Sequence, residues 1–143
     1  MTEMLKFIKT RKAHHKKIIE LLSLNISPYN PKKKLNSVWK NYINQKKVYS
    51  ITVLYKKKII GFATIFFFFK IRGGIEGYIN DVVVHKKYTR KKIGSKLVKK
   101  LIFLAKKKNC YKIALQTKNS IGFYKSLGFV KAGSTMRILI KTK

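Results

Sequence analysis

Residues 88–97 read YTRKKIGSKL, and their types and spacing suit the binding of an anion. A helix opening here would present unpaired backbone N–H groups and the positive end of its dipole, to which phosphate oxygens bind readily. Lys91 and Lys92 add charge, and Gly94 lets backbone and ligand approach closely. The same residues would also serve as a basic stripe for nucleic acid. Local composition alone favours a third reading, a solvated turn before a surface helix. The setting of the stretch decides between them. It follows GYINDVVV (77–84), which ends in three valines, and it precedes KIALQ (112–116) and FYKSLGF (123–129).

The elements that would position this loop follow from periodicity. Residues 5–8 make a short first strand. Residues 14–24 place Ile18, Ile19, Leu21 and Leu22 on one helical face, with His15 beside them. Pro28 and Pro31 break that helix, and 37–43 form a second one with Ser37 as a possible N-cap. Residues 26–44 show no readable motif, although a substrate lid would lie there. Alternation at 48–55, a lysine turn at 56–58 and the apolar run 59–69 predict a hairpin. After a turn at Gly73-Gly74, residues 77–84 suit a central strand buried on both faces. Residues 94–108 form an amphipathic helix. Residues 112–116 return as a strand parallel to 77–84 if the crossover has its usual right hand. A short helix at 121–127 stops at Gly128, and 129–132 with 135–140 would close the chain as a hairpin around Gly133. The result is an α/β domain, one mixed twisted sheet with flanking helices, over residues 1–143.

The chain has 35 basic and 4 acidic residues, a formal net charge of +31. Nucleic-acid binding is the usual meaning of such a charge. Here the bases are nearly all lysine and are spread along the whole chain. Lys, Ile, Asn, Phe and Tyr are abundant together, and A/T-rich codons encode all of them, so coding bias is the preferred account and nucleic acid the weaker one. Either way the field concentrates anions near the surface. No apolar run reaches the length of a bilayer span. The first residues lack the apolar core of a signal peptide, so the expectation is a cytoplasmic protein. The lone Cys110 rules out an internal disulfide framework and a cysteine-rich metal site.

DVVVHKKYTRKKIGSKL, NCYKIALQ and IGFYKSLGF, in that order, resemble the successive core motifs of the GNAT superfamily of acetyl-CoA-dependent N-acetyltransferases. NDVVV, NCYKI and AGSTMRI are most similar to its glucosamine 6-phosphate branch. The resemblance covers about residues 77–136 and implies a mostly antiparallel sheet with a central parallel pair. It also implies a homodimer whose C-terminal strand contributes across the interface, a role in UDP-N-acetylglucosamine synthesis, and no metal. Acetyl-CoA is the implied co-substrate. Its pantetheine arm would pair with Val82, Val83 and Val84, and its pyrophosphate would meet the N–H groups of Arg90, Lys91, Lys92, Ile93, Gly94 and Ser95. Thr89, Gln116 and Ser120 complete the expected cofactor contacts.

The loop departs from the family pattern, usually Arg or Gln, two residues, Gly, one residue, Gly or Ala. Thr89 holds the first place, Lys92 the first Gly and Gly94 the second. The resemblance makes Tyr124 the acid that protonates the departing thiolate, so Cys110 is not needed as a nucleophile. Asp81, the one acid within the motifs, would polarise the amine or cap backbone amides. Asn80 stands where the branch commonly has glutamate. Lys70, Arg72 and Arg137 are candidates for the sugar phosphate, since bidentate arginine suits phosphate. The branch's own phosphate-gripping arginine would fall at Leu139. Other amines as acceptor, or a basic RNA-associated protein that has lost catalysis, remain the rival readings.

Overall fold

In the computed structural model, residues 4–25 and 35–140 are described. The alternating stretch at 48–69 forms the antiparallel hairpin Val48–Tyr55 (β2) and Lys58–Phe69 (β3). Lys6–Lys9 (β1) lies along β2, Ile75–Val84 (β4) along β3, and Lys112–Ala114 (β5) along β4. The sheet order is β1-β2-β3-β4-β5, antiparallel throughout except for the β4–β5 pair. Four α-helices flank it: His15–Asn25 (α1), Leu35–Ile43 (α2), Ile93–Lys107 (α3) and Ile121–Ser126 (α4). A 3-10 turn over Lys86–Lys91 joins β4 to α3.

The core is two-sided and unequal. On one face the apolar stripe of α3 (Ile93, Leu97, Val98, Leu101, Ala105) is buried against Val53, Ala63, Ile65 and Ile79. Each such large side chain contributes about 1.5–3 kcal/mol by leaving water. The other face carries a smaller cluster of Ile18 and Leu21 from α1 with Phe62 and Val83, joined by Trp39 and Tyr42 of α2. Hydroxyls are also buried in the sheet, at Thr10, Ser50, Thr52 and Thr64. They are paired within the protein: Thr10 and Thr52 share a hydrogen bond of 2.8 Å, and Tyr42 bonds Thr64.

Four details differ from the sequence expectation. Helix α2 begins two residues earlier, so Ser37 lies within its first turn and cannot cap its start. Strand β4 is not central along its whole length, because pairing with β5 covers only Glu76, Gly77 and Tyr78. The parallel pair therefore lies at the edge of the described sheet. Residues 129–140 form no hairpin, and Met136 and Ile138 are 94% and 85% exposed. A strand needs a neighbour for its N–H and C=O groups, and among the described residues none lies beyond β5. The Pro28–Pro31 segment falls outside the described residues. No helix among those described is long and apolar enough to cross a membrane.

Lysines without carboxylate partners find aromatic faces instead. The ammonium groups of Lys47, Lys91 and Lys107 lie 4.3, 4.5 and 4.8 Å from the ring centres of Phe69, Tyr55 and Phe103. The β2–β3 turn is less comfortable. Lys56 and Lys57 have φ of 49° and 64° between the paired residues Tyr55 and Lys58. A two-residue turn with both central residues left-handed favours Asn-Gly, and a side chain there costs roughly 1 kcal/mol. Lys57→Gly should therefore raise stability by about 0.5–1 kcal/mol and Tm by a few degrees in thermal unfolding. A lowered Tm would show that this turn is unstrained.

Candidate active site

The site begins with a bulge in β4. Phe62 pairs with Val83 and Thr64 with Asn80, so Asp81 and Val82 together oppose the single residue Ala63. Asp81 takes the left-handed conformation, φ 54°, which aspartate tolerates better than most residues. Pairing with β5 stops at Tyr78↔Ala114, three residues before the bulge. From there to Val84, the backbone groups of β4 that point away from β3 face a gap. An extended ligand carrying amides could pair along it.

At the top of the gap β4 runs into the basic loop. His85 anchors it: its N–H donates to Ile60 O (2.7 Å) and its Nδ1 accepts from Lys87 N–H (3.2 Å). Thr89 turns its hydroxyl back onto Lys86 O (3.2 Å). Arg90 is in the 3-10 turn, and Lys91 lays its ammonium over Tyr55 and Tyr88. Lys92 is left-handed, φ 55°, ψ 26°, directly after that right-handed turn. Consecutive right- and left-handed residues aim their N–H groups into one concavity, which binds anions. The first turn of α3 has no side-chain cap and no acidic residue. Lys96 N–H bonds Lys92 O, which leaves Ile93, Gly94 and Ser95 at the open helix end. A Cβ on Gly94 would meet Phe123 at 3.5 Å and Val84 at 3.8 Å, ordinary contacts, so the loop, β4 and α4 come together here.

Tyr124 is half-buried in α4, its ring edge-on to Phe123 and Phe129 at 4.9 and 5.6 Å. Burial pushes its phenol up from the usual tyrosine range, so it stays a proton donor at neutral pH. Val82 and Val84 pack against the same core as Tyr124, while Val83 faces the α1–α2 cluster. Burial likewise raises the Asp81 carboxyl above the usual carboxylate range. Glu20 is paired with Lys17 at 3.4 Å, and Glu76 with Lys70 at 3.0 Å and Lys112 at 3.8 Å. Among the described residues, no base pairs with Asp81.

The loop, Val82–Val84, Asn80, Asp81 and Tyr124 all border the gap. Gln116 and Ser120 are exposed between β5 and α4, on its far side. The phosphate candidates are elsewhere. Lys70 and Arg72 lie by the β3–β4 turn, about 20 Å along β4 from the bulge, and Lys70 is committed to Glu76. Arg137 lies in the exposed C-terminal segment. One neighbour was not foreseen. Tyr42 of α2 hydrogen-bonds Thr64, across from Asn80. Burial is the main influence raising its phenol pKa, and the Asp81 charge adds to it. The aromatic spacing of Trp39 and Tyr42 was its only sequence signal, and core packing explains such spacing equally well.

A sheet split at a bulge, an anion-binding loop at the top of the split and a phenol beside it are the parts of an acyl-CoA-dependent N-acyltransferase. The model of the Acetyltransferase (GNAT) family matches residues 16–129, and the chain belongs to that family. A glucosamine 6-phosphate N-acetyltransferase of Schizosaccharomyces pombe is 44% identical over 82 residues, 55% of this chain and 74% of that protein. Further curated relatives are matched over less than half of their own length. The glucosamine-6-phosphate N-acetyltransferase structure from Arabidopsis thaliana superposes with a TM-score of 0.83 at 22% identity, covering 97% of this chain and all of that one. A Clostridium acetobutylicum acetyltransferase solved with acetyl-CoA gives 0.78 at 19% identity, covering 95% and 96% of the two chains. These two similarities establish the shared fold.

A half-buried carboxylate with no cation beside it among the described residues is a cost to the fold. Because its folded-state pKa is raised, the unfolded chain binds fewer protons between the two pKa values, and stability falls as pH rises through that window. Asp81→Asn should thus unfold at a higher temperature than the parent at pH 7, with the gap closing at acid pH, where the parent carboxyl is protonated. A pH-independent difference would show that Asp81 carries no such burden.

Proposed function

We propose that this protein transfers the acetyl group of acetyl-CoA to the amine of glucosamine 6-phosphate. The observation that carries this reading is the carboxylate at the bulge. In a chain with 35 basic residues, Asp81 has no described cation beside it and sits where a ligand's ammonium would supply one. Its raised pKa suits it to take the ammonium proton, directly or through water, so that a neutral amine remains. Asn80, exposed next to it, offers the amide that orients the amine. The new N–C bond forms at the thioester carbonyl as the C–S bond breaks, and Tyr124 gives its proton to the departing thiolate. No enzyme nucleophile takes part. The loop at 89–95 holds the pyrophosphate through backbone N–H groups, which is why lysine at position 92 is compatible with the role: its left-handed backbone is what the nest requires. No metal is needed for this chemistry.

The exposed C-terminal segment supports a second element of the reading. Met136, Ile138, Leu139 and Ile140 present apolar side chains to solvent, which a second copy would cover by adding the segment to its sheet. Arg137 would then reach the acceptor site of the other subunit and meet the sugar phosphate.

Purified protein should release free thiol from acetyl-CoA only when glucosamine 6-phosphate is added. Acetyl-CoA binding without turnover on that sugar, but with turnover on a peptide amine, would sink the sugar assignment. Tyr124→Phe should lower kcat roughly tenfold or more with little change in KM; an unchanged kcat would reduce Tyr124 to packing. Sedimentation should give a dimer. Ile138→Asp with Ile140→Asp should give a monomer whose KM for the sugar phosphate is raised about tenfold or more. A doubly substituted protein that stays dimeric would place the interface elsewhere.

A further inference from the structure

Two buried polar atoms of the α1–α2 layer have no hydrogen-bond partner among the described residues: Nε2 of His15 and Nε1 of Trp39. Nearly all buried polar groups in folded proteins are paired, so two orphans on neighbouring rings require an explanation. The rings stack, with 4.9 Å between centroids and 12° between planes. Trp39 lies 5.7 Å from the Tyr42 ring. Tyr42 in turn bonds Thr64, across the sheet from Asn80, and its phenol feels the Asp81 charge. Two ring contacts, one hydrogen bond and one strand pairing therefore lead from the orphaned nitrogens to the residue before the bulge.

The chemistry of the two nitrogens limits what can satisfy them. An indole N–H only donates, so it needs an acceptor atom; an imidazole nitrogen donates or accepts according to its tautomer. A hydroxyl oxygen meets both needs, and a phosphate oxygen meets the first and, with the donor tautomer, the second. An alkyl ammonium group has no acceptor atom and cannot meet the indole's need. Sites built to hydrogen-bond an oxygen reject ligands that lack it, because the protein's own polar atoms are then left unpaired.

We propose that His15 and Trp39 form an acceptor subsite that takes an oxygen of the sugar, hydroxyl or phosphate, while the sugar's amine lies at Asp81. This rests on the amine-acceptor reading given above and adds to it a means of selecting oxygen-rich acceptors over simple alkyl amines. It also accounts for the orphans: a polar atom without a partner weakens the free protein and is retained because the ligand supplies the partner.

Trp39 is the chain's one tryptophan, so its emission reports on the subsite without a label. Titration with glucosamine 6-phosphate should change that emission saturably in the parent and not in His15→Phe, which keeps a ring in the stack. Glucosamine competing for the change would identify a hydroxyl as the bound oxygen, and inorganic phosphate competing would identify the phosphate. In steady-state assays, His15→Phe and Trp39→Phe should each raise KM for the sugar about tenfold or more. KM for acetyl-CoA should stay unchanged, and Tm should be equal to the parent's or higher. Unchanged sugar KM in both variants, or an emission indifferent to all three ligands, would overturn the subsite. Absence of turnover on glucosamine 6-phosphate, with emission still saturating on glucosamine and losing that response in His15→Phe, would remove the transfer assignment and leave the subsite standing.

Discussion

The site depends on one extra residue in one strand. Had β4 run through residues 80–84 without its bulge, β5 could have continued alongside it and left no gap. The left-handed Asp81 bends the strand beyond the point where its parallel partner leaves, and along the gap β4 has no strand partner among the described residues. In the proposed function that gap would set where an extended thioester lies, where the helix end meets its phosphates and where an amine arrives. The large α3 core packs on one face of the sheet and the smaller, more polar α1–α2 layer on the other.

Electrostatics then assigns roles that packing alone would not. Lysine is so common that two of the three described carboxylates, Glu20 and Glu76, are taken up in ion pairs. Asp81, which has no cation beside it among the described residues, is the exception, and its partial burial makes it a stronger base. The basic loop works the other way. Lys91 lies over tyrosines and Thr89 turns back on its own backbone, so in the proposed function it is the N–H groups beside the left-handed Lys92 that would meet an anion. On that reading the loop can depart from its family's pattern at positions 89 and 92 and keep the same role.

The order of the elements and most of their bounds were legible because β2, β3 and α3 have strong, unambiguous periods. The loop was legible only through its neighbours, since basic glycine-containing turns are common and take their meaning from the strand before and the helix after. The bulge was not legible: NDVVV reads as an unbroken strand, and nothing in an aspartate's identity says its φ is positive. The polar pair of His15 and Trp39 was hidden for another reason. Aromatic residues at helical spacing look like core until an unpaired nitrogen is seen. The C-terminal hairpin was misread because residues 129–140 alternate as a strand should, yet alternation cannot say whether a neighbour lies in the same chain.

Lysine ammonium groups resting on phenylalanine and tyrosine rings have a consequence for how such a protein tolerates its genome. A drift toward A and T in coding sequence would favour lysine, which outnumbers the carboxylates that could pair with it. The same drift enriches phenylalanine and tyrosine, whose faces attract the cations left without partners. If coding bias is the source of the charge, base composition would supply, in one direction of change, both the excess charge and the surfaces that accommodate it.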